Sequence, residues 1–224
     1  RLLGGVGTQT AALAFGGYIG GAAPSITGAT EEYSGGTWTS PPGSNMITPR
    51  TGPGTAGTQT AALAFGGADP ANTNTTEEYS SGAWSPGGNM SSARRYLAGS
   101  GTQTAALAFG GGPVATAATE QYNSGVWSNT PANMITARQR LAGAGTQAAA
   151  LVFGGSTPTG ATEEWVASEG GNTGTVGGTW SAAPSNMITP RQALAGAGTQ
   201  AAALAFGGAA PGLSAATEEY SGGT

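Results

Sequence analysis

The sequence predicts an all-β chain, a β-propeller of four-stranded blades, on three observations: an internal repeat, the length of its period, and the turn chemistry within it. The string Gly-Thr-Gln begins at Gly7, Gly57, Gly101, Gly145 and Gly198, so the period runs from 44 to 53 residues. That is the length of a propeller blade and exceeds most helical or leucine-rich repeats. Gly-Gly, Ser-Gly and Pro-Gly pairs cut each copy into segments of about five residues, the punctuation of short strands. Helix start signals and long 3.6-period stripes are missing.

The elements follow in order within each copy. The first strand is the thin Gly/Ala segment typified by Leu141 to Gln147, and the second is the Ala-rich segment typified by Ala149 to Phe153. Alternation on a strand sends Leu13 and Phe15 to one face and Ala12 and Ala14 to the other. One blade's large face can therefore press on the next blade's small face, and few large residues suffice because each is shared with a neighbour. The third strand is Thr-Glu-Glu-Tyr or a variant, at Thr30, Thr76, Thr119, Thr162 and Thr217. The fourth begins at Trp38, Trp84, Trp127 or Trp180, and Asn-Met and then Arg50, Arg94, Arg138 or Arg191 follow. The repeats fall at about 1–49, 50–93, 94–137, 138–190 and 191–224 of a single domain. The register opens within a first strand and closes before the fifth Trp, which is the expectation for a fragment of a longer polypeptide.

Composition narrows the function. There are 42 Gly and 13 Pro, and only 8% of residues are charged. Leu, Ile, Val and Phe make up about 12% of the chain, well under the globular norm. The net charge is only −4, so the charge half of the disorder signature is missing. Cys and His are absent, and all seven basic residues are Arg. That excludes a Ser-His-Asp triad, a Cys nucleophile, an ordinary zinc or copper site, a Lys Schiff base and a Walker-type phosphate loop. With Asp69 the single Asp, an Asp-rich calcium loop is excluded too. The chain is therefore read as non-enzymatic, with no cofactor and no metal. An acidic balance with scattered Arg argues against nucleic acid, and no apolar run is long enough for a membrane span.

The ordered set Arg50, Phe65-Gly66-Gly67, Glu77-Glu78-Tyr79 and Trp84, repeated along essentially the whole chain, resembles kelch-repeat β-propellers. The wording Gly-Thr-Gln-Thr-Ala-Ala-Leu-Ala-Phe-Gly-Gly is also similar to kelch-like repeats of marine phage structural proteins. The resemblance implies a scaffold that binds through loops, in an extracellular or virion setting, as a virion appendage, tail-fibre or host-attachment part of a larger assembly. The copper oxidases of the kelch family are excluded by the missing His and Cys.

Recurring residues are assigned to architecture. Glu31, Glu77, Glu120, Glu163 and Glu218 are expected to meet the repeat arginines in bidentate pairs. Gln9, Gln59, Gln103, Gln147 and Gln200 are expected to bond backbone between blades, and Trp38, Trp84, Trp127 and Trp180 to fill blade cores. Residues that differ between copies are the candidates for binding a protein or glycan surface: Tyr18 and Ile19 after Gly17; Asp69, Asn72 and Asn74 after Gly67; Glu169 and Asn172 in the insertion of the fourth copy. The competing expectation is a multivalent lectin with one sugar site per blade, for which the recurring Gln, Tyr and Trp would line the pockets.

Overall fold

A computed structural model describes residues 2–21, 25–156, 159–168, 177–210 and 212–222. Among them there is no helix, and the strands assemble a five-blade β-propeller. Blade 1 is β1 (Gly4–Gly7), β2 (Ala11–Phe15), β3 (Thr30–Ser34) and β4 (Thr37–Thr39). Blade 2 is β5 (Gly54–Gly57), β6 (Ala61–Phe65), β9 (Thr76–Ser80) and β10 (Ala83–Gly87), with a small hairpin of β7 (Ala68–Asp69) and β8 (Ala71–Asn72). Blade 3 comprises β11 (Ala98–Gly101), β12 (Ala105–Phe109), β13 (Thr119–Asn123) and β14 (Val126–Asn129). Blade 4 comprises β15 (Ala142–Gly145), β16 (Ala149–Phe153), β17 (Thr162–Ala167) and β18 (Gly178–Ala182). Blade 5 has β19 (Ala195–Gly198), β20 (Ala202–Phe206) and β23 (Thr217–Ser221), and a hairpin of β21 (Ala209–Ala210) and β22 (Gly212–Leu213). Every blade is an antiparallel meander, four-stranded in blades 1 to 4 and three-stranded among the described residues of blade 5.

The first strands are shorter than the sequence suggests. In blade 4 the ladder ends at Gly145, because Thr146 turns the chain: its N–H donates to Ala149 O at 2.8 Å and its Oγ1 accepts from Ala149 N at 3.1 Å. Gly145 itself has φ +104°, and a Cβ there would lie 2.3 Å from Ala149 O, so only glycine fits the turn.

The core is a relay between blades. Leu13 and Phe15 of blade 1 pack on Ala62, Ala64, Tyr79 and Trp84 of blade 2. Leu63 and Phe65 meet Ala106, Ala108, Tyr122 and Trp127 in the same way. Leu107 and Phe109 meet Ala150, Val152, Trp165 and Trp180. In each case the outer-strand Trp stacks edge-on against the previous blade's Phe, at 4.8, 5.0 and 5.5 Å between centroids, a favoured aromatic geometry. Its indole N–H donates to the Thr that opens the previous blade's third strand: Trp84 to Thr30 at 2.9 Å, Trp127 to Thr76 at 2.9 Å, Trp180 to Thr119 at 3.1 Å. The indole thus buries its apolar body without orphaning its donor.

Polar residues stitch the same junctions. Gln59 Nε2 donates to Tyr33 O at 2.7 Å, Gln103 to Tyr79 O at 2.6 Å, Gln147 to Tyr122 O at 2.8 Å and Gln200 to Trp165 O at 2.8 Å. The second Glu of the pairs in blades 1, 2 and 4 points away from the first and accepts from the next blade's tyrosine. Tyr79 donates to Glu32 at 2.5 Å, Tyr122 to Glu78, and Tyr220 to Glu164 at 2.6 Å. Blade 4 has Trp165 where the others have Tyr, and the residue facing that position in blade 3 is Gln121 instead of Glu. With no hydroxyl to receive, a carboxylate there would be buried without its donor, and an amide avoids that charge.

Burial first, then the glutamate acceptor, raises the hydroxyl pKa of Tyr79 and Tyr122 above the ordinary tyrosine range and pushes Tyr220 up to about 12. Unfolded tyrosine titrates near 10 (about 10), so the unfolded chain loses these protons first. The contribution of the hydroxyls to stability is therefore complete below about pH 10 and falls as pH rises toward 12. We expect the urea midpoint to be flat from pH 7 to 9 and to drop above pH 10, with Tyr122→Phe flattening part of the drop. A midpoint that holds steady through pH 11 would contradict this.

Candidate functional site at the axial mouth

The segment between blades positions the site. Each repeat arginine ends the Asn-Met stretch and is buried. Arg94 Nη1 donates to Gly110 O at 2.7 Å and Ala118 O at 3.1 Å, and Nη2 to Glu120 at 2.6 Å. Arg138 does the same with Gly154 O, Ala161 O and Glu163, the last at 2.7 Å. Arg191 pairs with Glu218 at 2.9 Å, and Arg50 with Glu77. One guanidinium nitrogen reaches the carboxylate, where a two-pronged contact was expected, because the other is taken by two backbone carbonyls. The second carboxylate oxygen accepts a backbone N–H instead: Ile47, Ser91, Ile135 or Ile188, at 2.6 to 2.8 Å. Burial holds the Arg50, Arg94 and Arg138 guanidinium groups below their ordinary range, against the opposing pull of the carboxylates. Glu31 is exposed and makes no ion pair among the described residues.

Two residues after each of these arginines the chain turns into an inner strand through a left-handed conformation: Gly52 (φ +61°), Tyr96 (+58°), Arg140 (+57°) and Ala193 (+53°), with Leu2 (+61°) as the blade 1 counterpart. Backbone N–H groups link them around the axis. Ala193 donates to Arg140 O at 2.7 Å, Arg140 to Tyr96 O at 2.8 Å, Tyr96 to Gly52 O at 2.9 Å and Gly52 to Leu2 O at 2.8 Å. Bulky residues avoid this region at a cost of about 1–2 kcal/mol each, and the run of hydrogen bonds from Ala193 to Leu2 offsets it. The result is a collar that aims side chains at the mouth of the axial channel, a cavity of about 450 Å3 whose walls include Leu2, Tyr96 and Arg140.

Three side chains converge at this collar. The Arg95 guanidinium carbon lies 5.0 Å from the Tyr96 ring centroid and that of Arg140 lies 4.9 Å from it, so two cations flank one aromatic ring. Among the described residues, Arg95 and Arg140 are the arginines that form no ion pair. Arg95 Nε is buried with no hydrogen-bond partner. These groups are off the repeat, which reads Thr51-Gly52 and Gln192-Ala193 at the same place in blades 2 and 5. Sequence reasoning weighted the arginine that recurs and passed over the two that do not.

The candidates in the loops after Gly17 and Gly67 sit at this same end, since the antiparallel register places the end of each second strand beside the start of the first. They do not form one site. Asn72 Nδ2 donates to Gly112 O at 3.3 Å, and Gly112 pairs with Arg95, so Asn72 borders the collar. Asn74 Nδ2 donates to Met90 O at 2.9 Å and pins the linker to its own blade. Asp69 is exposed at the tip of the β7–β8 hairpin. Tyr18 and Ile19 lie apart, on a cavity of about 220 Å3 in blade 1 with Leu3 and Glu31, and Ile19 is 71% exposed. Glu169 and Asn172 lie outside the described residues. No group of acidic residues able to hold a metal ion occurs among the described residues. No protein-family profile matches the chain, and no curated protein matches it in sequence.

Proposed function

We propose that the protein is a non-enzymatic binding module of a larger assembly that presents its loop end to a protein or glycan surface and holds an acidic group of that surface at the axial mouth. The observation that carries this reading is the convergence of Arg95 and Arg140 on Tyr96. Two guanidinium groups supply donors for a carboxylate or sulfate, and the ring offers a face for an apolar or sugar surface. The left-handed backbone of Tyr96 and Arg140 adds support, because strained residues that glycine would occupy at no cost cluster at functional sites. The kelch-type repeat order and the likeness to phage structural repeats agree with a scaffold role in a virion appendage or host-attachment protein. The lectin alternative has less support, since Gln59, Gln103, Gln147 and Gln200, with Tyr79, Tyr122, Trp84, Trp127 and Trp180, are engaged between blades.

The test uses an array of acidic and neutral glycans, followed by titration with glucuronate. Binding to acidic members at about millimolar single-site affinity, amplified on dense surfaces, is expected. Arg140→Gly keeps the backbone conformation that Gly52 adopts, so stability should stay within about 1 kcal/mol while binding is lost. Equal binding by wild type and variant would refute the collar as the site.

A further inference from the structure

The geometry points to Gly52 and Ala193 as the residues that decide which side of the axial site is open, and so which way an acid enters it. This inference rests on the reading of the mouth as an acid-binding site and adds to it a direction of approach.

The collar side chains lean one way. Each collar residue donates its N–H to the carbonyl of the one before, Tyr96 to Gly52 at 2.9 Å and Arg140 to Tyr96 at 2.8 Å. The side chains follow the same direction. A Cβ on Gly52 would lie 2.7 Å from Tyr96 Cδ1 and 2.9 Å from Cε1, so the ring fills the space where a blade 2 side chain would stand. The Arg140 guanidinium carbon in turn lies 4.9 Å from the Tyr96 ring centroid. Blade 3 thus covers the collar position of blade 2, and blade 4 covers that of blade 3. Gly52 is buried, Tyr96 half-buried and Arg140 exposed, the order of a stack with Gly52 at its base and Arg140 at its free end.

Gly52 serves this stack twice. It adopts φ +61° without strain, and its missing side chain leaves the floor on which the ring rests. A methyl group there must push the ring outward and carry the cation on it away from its place. Gly52 is therefore a positioning residue that acts through Tyr96 on Arg140.

Ala193 acts at the other end. It donates its N–H to Arg140 O at 2.7 Å and has φ +53°, so it stands to Arg140 as Arg140 stands to Tyr96. A long side chain at this position would lean back over the guanidinium, and the alanine methyl group leaves it open. Arg140 and Ala193 both line the mouth. The acid therefore enters from the blade 5 side, where a carboxylate takes the free fork of Arg140 in two parallel bonds.

The experiment titrates the whole chain with glucuronate by calorimetry. Ala193→Tyr should bind at least about tenfold more weakly than wild type, because its ring covers the guanidinium as a cation–π partner. Gly52→Ala should weaken binding about fivefold by displacing Arg140. Ala193→Gln carries the same test if Ala193→Tyr fails to fold. A measurement without ligand tests the stack itself. Gly52→Ala should lower the melting temperature by about 2–4 °C more in the wild-type background than in Tyr96→Gly. Backbone strain at position 52 is the same in both, and only the ring differs. Undiminished binding by Ala193→Tyr, or equal thermal losses in the two backgrounds, overturns the proposal and leaves the site standing. No binding by wild type, or undiminished binding by Arg140→Gly, overturns the reading of the site and the proposal with it.

Discussion

Arg138→Ala is expected to be among the most damaging single substitutions in this chain. Arg138 is buried, bonds two carbonyls from separate parts of blade 4, and pairs with Glu163 at 2.7 Å. Removing it leaves Glu163 charged and buried, and leaves the Gly154 and Ala161 carbonyls short of a donor. Breaking one side of a buried pair costs about 3–5 kcal/mol. At about 2–4 °C per kcal/mol for a domain of this size, the melting temperature should fall by about 10 °C. Glu77→Ala attacks the equivalent pair from the acid side, orphans the Ile47 and Thr48 N–H groups as well, and should fall by a similar amount. Calorimetry or thermal circular dichroism decides it. An unchanged melting temperature in both variants would mean that the pairs are ornaments on a fold held by apolar packing alone.

The second large effect depends on position. Phe109→Ala removes a fully buried ring that touches Trp180 and the small face of blade 4. A loss of about 3–5 kcal/mol is expected, from lost transfer energy plus the cavity left behind. Phe206→Ala changes the same residue type at the same repeat position and should cost under about 1 kcal/mol. The difference lies in what faces the ring. Phe206 is 40% exposed and Trp38 is 52% exposed, on opposite walls of a cleft of about 590 Å3 between blades 5 and 1. Paired urea titrations of the two variants make the comparison. Equal losses would show that blades 5 and 1 pack together in solution as the other blades do.

How much was legible in advance follows from what the repeat constrains. A residue that recurs at the junctions from blade 1 to blade 4 is fixed by its neighbours. The large and small faces of strand two, the positions of Trp84, Trp127 and Trp180 and the bonds of Gln59, Gln103, Gln147 and Gln200 could therefore be read from period and alternation. Trp38, expected in a blade core, is instead 52% exposed at the blade 5–1 cleft. Where two partners lie in different copies, spacing within one copy says nothing. The Tyr122–Glu78 contact, and the joint change to Trp165 and Gln121, needed the blades side by side. The collar was hidden for another reason: it depends on a left-handed backbone at Tyr96 and Arg140, where the usual glycine signal is lacking. The loop candidates were chosen for variability, and variability marks tolerance as readily as contact. Asn74, spent on the Met90 carbonyl, illustrates this.

The junction between blades joins two unlike surfaces, large residues on the leading side and small residues on the trailing side. In symmetry terms it is a heterologous, head-to-tail interface, and such an interface carries no instruction to stop. Only the rotation per repeat decides whether a row of blades meets its own beginning or winds onward. Copy number is therefore open to change: duplicating or deleting one repeat keeps the apolar meeting of large and small faces and alters the angle left over, while partners particular to one junction, such as Gln121 and Trp165, must stay together. An interface of this kind lets the diameter change by recombination wherever the partners across the new junction match.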